Sequence, residues 1–111
     1  MNIVFVILAP LLLLPAALHA EGDPETGKRY FGICANCHGS KAEGNKEIGA
    51  PRLQGQHDWY LIRQLNNFKK GVRGAHKDDT HGHQMRSCIA ITLKEDKAID
   101  DVVSYIVSLN K

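Results

Sequence analysis

The segment Cys34-Ala35-Asn36-Cys37-His38 places two thiols three positions apart, with an imidazole directly after the second. Three kinds of chemistry compete for that pattern. A redox dithiol of the thioredoxin type needs its Cys-x-x-Cys within a βαβ unit, and no strand-like alternation precedes Cys34. A zinc site needs a second pair of ligands at finger-like distance, and none follows. Covalent haem attachment needs only what is present. Two cysteines one helical turn apart can each add to a porphyrin vinyl group as a thioether, and the next histidine then reaches the iron from the same side. On this reading Cys34 and Cys37 carry haem and His38 binds its iron.

A histidine on a metal is oriented by a partner on its other ring nitrogen. The stretch Gly49-Ala-Pro-Arg-Leu-Gln-Gly-Gln56 follows closely, and Pro51, with no N–H and a fixed φ, makes it stiff. The Pro51 carbonyl is the expected acceptor for His38. Candidates for the sixth iron ligand are His57, His76, His81, His83, Met85 and Cys88. Met85 is the single methionine beyond residue 20 and sits in the polar segment Asp78–Cys88. That segment reads as a loop between two helical patterns, where core packing would not explain a methionine. A thioether ligand favours ferrous iron and gives a higher potential than two imidazoles. His81 and His83 remain the alternatives. Cys88 reads as a small buried hydrophobe, the common fate of a free cysteine.

These residues need a scaffold, and the chain has 111 residues for it. Ile3–Leu14 is almost unbroken apolar sequence, followed by Ala16, Ala17 and Ala20, and the first charged side chain is Glu21. Residues 1–20 read as an export signal cut after Ala20. An uncleaved membrane anchor is the alternative, but the run falls short of the ~20 residues that span a bilayer, and Pro10 and Pro15 interrupt it. Residues 21–111 then form one small domain, of a size that gains much from a large buried cofactor. The formal net charge of +2 gives no reason to expect a nucleic-acid partner.

The positioning elements read as helices. Asp23 is a candidate N-cap with Pro24 at the first helical position, opening a helix that runs into the haem motif. Tyr30, Ile33 and Cys34 can share one face of it, with Phe31 beside that face. Asp58 is expected to cap a second helix, in which Leu61, Leu65 and Phe68 recur at helical spacing, and Gly71 suits its C-terminal stop. The third carries the stripe Ile99, Val102, Val103, Ile106 and Leu109, with Tyr105 beside it and placed to pack on the first helix. No strand pattern stands out. The fold class is therefore all-α: three main helices and long loops wrapped around one covalently bound haem.

In order, "GKRYFGICANCHG", "GAPRLQGQ", "FKKGVRGAHKDDTHGHQM" and "LKEDKAIDDVVSYIVSL" resemble a class I cytochrome c over nearly all of residues 22–110. The chain is most similar to one half of the two-haem bacterial respiratory cytochromes, or to a single-haem relative of that half. Cys88 occupies the neighbourhood where related chains often carry a second methionine. The resemblance implies one haem c on Cys34 and Cys37, axial ligands His38 and Met85, and Pro51 as the buttress of His38. It further implies a periplasmic electron carrier, monomeric and not an enzyme, passing single electrons between protein donors and acceptors. The alternatives are a dedicated haem subunit of a dehydrogenase or reductase complex and a haem-based ligand sensor.

Overall fold

The computed structural model describes residues 1–11 and 21–110. Residues 1–11 are exposed and without regular structure. The end of the apolar leader, with the expected cleavage point after Ala20, lies outside the described residues.

Helix α1 spans Pro24–His38. The Asp23 carboxylate accepts from the Glu25 backbone N–H at 3.1 Å and from the Thr26 hydroxyl at 2.7 Å. These bonds hold the carboxyl below its ordinary pKa, Thr26 contributing most. Proline at the first position loses nothing, since that N–H has no partner within a helix. The helix stops at Gly39, whose φ of 87° favours glycine. A loop with a short 3₁₀ turn, Lys46–Ile48, leads to α2, Asp58–Lys69. His57 rather than Asp58 occupies the N-cap. The Asp58 carboxylate instead accepts from the Trp59 N–H at 2.7 Å.

Among the described residues there are four α-helices where three main helices were expected. Helix α3 spans Thr80–Thr92 and α4 spans Asp96–Ser108. The segment around Met85 is therefore helical and not a loop. Asp79 caps it, its carboxylate accepting from the Gly82 N–H at 2.9 Å. Met85, Ile89 and Leu93 then follow at i, i+4 and i+8 along one side, with Ile89 and Leu93 fully buried. The polar residues between them face outward and do not break the helix.

The core gathers Phe31 of α1, Leu61, Leu65 and Phe68 of α2, Ile89 of α3, Leu93 between α3 and α4, and the inner face of α4. On α4, Ala98, Ile99, Val102, Val103 and Ile106 are each at most 3% exposed. Full burial of one aliphatic side chain is worth about 1.5–3 kcal/mol, so α4 is the main hydrophobic element. It lies against α1. Gly27 permits the approach: a Cβ there would fall 1.9 Å from the Asp101 carbonyl oxygen. One turn on, the rings of Phe31 and Tyr105 meet at 5.4 Å with a 49° tilt. The start of the domain is fastened at the same seam. The Gly22 N–H donates to Ser104 Oγ at 3.0 Å, and the Asp23 N–H donates to the buried Asp101 carboxylate at 2.8 Å. Lys97 completes that group, donating to Asp101 at 3.1 Å. The inner face of α1 is thus Gly27, Phe31 and His38, with Tyr30, Cys34 and Ala35 partly buried. Ile33 is 52% exposed, because the close approach at Gly27 turns Phe31 inward.

Candidate haem-attachment site

The three motif residues sit in the last turns of α1. Cys34 is half-buried against the core, with its thiol 3.7 Å from the Tyr30 carbonyl, and Cys37 is exposed. Burial first, and the Cys88 and Cys37 thiols to a lesser degree, push the Cys34 thiol up to about 12. Cys34 is therefore a neutral thiol at physiological pH, not a ready nucleophile.

His38 is 6% exposed. Its Nδ1–H donates to the Pro51 carbonyl at 2.8 Å. A carbonyl can only accept, so this bond places the proton on Nδ1 and leaves Nε2 with its lone pair, the form needed for a metal ligand. The His38 carbonyl in turn accepts from the Gly44 N–H at 2.7 Å, and the loop between is held by Asn45 and Ala50, which exchange bonds of 2.8 and 3.0 Å. The loop carrying Pro51 is thus tied to the end of α1. Two free thiols one turn apart, followed by a buried imidazole locked in its ligand tautomer, fit a covalently held haem.

Of the other candidate ligands, Met85 projects from α3 and is partly buried against the core that Cys34 also touches. The histidines near it are engaged elsewhere. His83 Nε2 lies 2.8 Å from the His76 carbonyl. The His81 ring covers Gly49, where a Cβ would come within 2.4 Å of it. His57 is exposed and stacks on Trp59. Cys88 is half-buried, 3.8 Å from Thr92 Oγ1. Among the described residues no helix is long and apolar enough to cross a membrane.

Comparison with known proteins agrees with this geometry. The sequence model of the family described as cytochrome c matches residues 24–110. Cytochrome c4 of Stutzerimonas stutzeri is 29% identical over 109 residues, which cover 97% of this chain and 51% of that protein. The FixP subunit of a cbb3-type cytochrome c oxidase from Sinorhizobium medicae is 41% identical over 58 residues, 46% of this chain and 20% of that one. A thiosulfate dehydrogenase electron acceptor of Stutzerimonas stutzeri is 45% identical over 40 residues, 36% of this chain and 18% of that one. The chain spans about half the length of the first of these relatives and matches smaller parts of the others. Capped by Asp23 and closed by the Pro51 loop, this chain belongs to the cytochrome c family, and Cys34, Cys37 and His38 form its attachment motif for haem c.

Proposed function

We propose that the protein is an exported single-haem electron carrier in which His38 and Met85 are the axial iron ligands. The observation that carries the reading is the 2.8 Å bond from His38 Nδ1–H to Pro51, which presets the imidazole as a ligand. Met85 supports it, as the one thioether beyond residue 20 and partly buried against the same core. Bound haem supplies an iron that takes up and releases one electron. The chain's own part is to hold the two thioethers, fix the imidazole tautomer and bring apolar side chains around the group. If His38 and Met85 both hold the iron, no position would be left for substrate, which supports transfer and not catalysis. The apolar leader supports a periplasmic location. A second reading, a dedicated subunit of a larger redox complex, is favoured by the partial match to a protein named as an oxidase subunit.

Optical spectra and a redox titration of the purified protein test the proposal. The oxidised protein is expected to show the weak sulfur-to-iron charge-transfer band, and Met85→Ala to abolish it, lower the potential and open the reduced protein to carbon monoxide. His81 and His83 are replaced in the same variant so that neither substitutes for sulfur. An unchanged band in Met85→Ala overturns the ligand assignment. Intact mass tests export: residues 21–111 plus one haem are expected, and retention of Met1–Ala20 would indicate an anchor. Co-purification with a fixed partner would favour the subunit reading.

A further inference from the structure

Helix α2 turns Leu61, Leu65 and Phe68 into the core, yet the chain's one tryptophan lies on its other side. Trp59 is 43% exposed and Tyr60 is 38% exposed. Around Trp59 the arrangement is ordered. The His57 ring stacks on it at 5.8 Å with a 17° tilt. Tyr60 meets it edge-on at 6.1 Å. The Arg63 guanidinium lies over its face at 5.3 Å. An exposed tryptophan flanked by tyrosine and arginine, with rotamers already held, is the composition of a binding hot spot, and holding the side chains beforehand lowers the entropy lost on docking.

The charge along this helix and the turn after it is mainly positive, with Asp58 at the start and Asp78 beyond the end. Residues 59–77 contain no Asp or Glu and carry Arg63, Lys69, Lys70, Arg73 and Lys77. Since the whole chain is only +2, the remainder is net negative and the positive charge is concentrated here. Lys69 is paired with Asp96 at 3.0 Å. Arg73 folds back along α2, donating to Gln64 at 2.9 Å and lying over Phe68 at 4.6 Å. Arg63 and Lys70 have no carboxylate partner among the described residues. The nearest acid in sequence, Asp58, turns its carboxylate onto the start of its own helix. Trp59, Arg63 and Lys70 follow the solvent side of a helix about 18 Å long, which suits one side of a modest protein interface.

We propose that the outer face of α2, centred on Trp59 and Arg63, is a docking surface for an acidic protein. The carrier reading makes that protein a redox partner; the surface itself does not depend on the iron ligands. The indole supplies the apolar centre, and Arg63, Lys70 and Arg73 meet carboxylates around it.

The haem-loaded protein, labelled with nitrogen-15, is titrated at low salt with a synthetic glutamate-rich peptide containing interspersed leucines. The largest shifts are expected at the Trp59 indole N–H and at amides between residues 57 and 73, and added salt should weaken binding. Trp59→Ala and Arg63→Glu should each raise Kd by about tenfold or more, with the haem spectrum and potential unchanged. Lys28→Glu, the same charge change on exposed α1, should raise it less than about twofold. Absence of binding at low salt, shifts centred elsewhere, or equal losses for Lys28→Glu and Arg63→Glu would each overturn the proposal. So would binding to anionic phospholipid vesicles but not to the peptide. Failure of the Met85 assignment leaves these outcomes unaffected.

Discussion

Between α1 and α4 the protein is closed on itself. Gly27 lets two backbones touch, Phe31 and Tyr105 pack ring on ring, and the buried carboxylate of Asp101 has both a backbone N–H and a lysine as partners. Helix α3 and the haem motif are built differently. Met85 and Cys88 on α3 are only partly buried, as is Cys34 of the motif. One region is complete with protein atoms alone, and the other carries the side chains whose chemistry suits a prosthetic group. Stability and redox function can therefore be altered separately.

Four variants of the haem-loaded protein sharpen that contrast. The largest effect is expected at the closed seam: Phe31→Ala removes a ring that is 2% exposed and should cost about 3–5 kcal/mol. A domain of this size loses roughly 4–8 °C in Tm per kcal/mol, so calorimetry should show a fall well above 10 °C while the visible spectrum of the folded protein stays the same. Met85→Ala should give the reverse pattern, a changed spectrum with a smaller loss of Tm. If the two variants behaved alike, the division between the two regions would be wrong.

Gly27→Ala comes next. Alanine in place of glycine inside a helix ordinarily gains about 1 kcal/mol. Here the added methyl would fall 1.9 Å from the Asp101 carbonyl oxygen, and forcing the helices apart should turn that gain into a net loss of about 1–3 kcal/mol. A rise in Tm would show that the seam yields. The smallest effect is the acid response of the Asp23 cap. Its carboxyl titrates below the ordinary value in the folded state. Its contribution is therefore present above about pH 4 and lost as pH falls through the folded pKa. Asp23→Asn should remove that part of the acid dependence of Tm, and an unchanged profile would show that the cap bonds contribute nothing.

Local chemistry made much of this protein legible in advance. Asp23 and Pro24 mark the start of α1, Gly71 the end of α2, and the apolar period from Ile99 to Leu109 marks α4. The pairing of His38 with Pro51 could be expected because a ligand imidazole needs an acceptor and a proline loop offers one. What stayed hidden depended on packing between helices. The first half of α3, Thr80 to Ser87, is polar with a glycine in it, and only its Asp79 cap and the burial of Ile89 and Leu93 make it a helix. The outward turn of Ile33 was hidden too, because the residue that sets the orientation of α1 is Gly27, which has no side chain to suggest a face. The basic stretch 59–77 was visible in the sequence, but a net charge of +2 concealed it.

The bonds that secure Gly22 and Asp23 also settle a question of reach. They lie at the first residues of the domain, on one end of a rod of 15 residues, and the haem motif lies at the other, about 20 Å along the axis. A leader, a linker or a hand-built tether joined ahead of Gly22 would therefore leave the molecule at the far end from its chemistry. Pull on such a tether would load the α1–α4 seam, where Gly22 and Asp23 are bonded to Ser104 and Asp101, and leave the thioether end free to meet a partner.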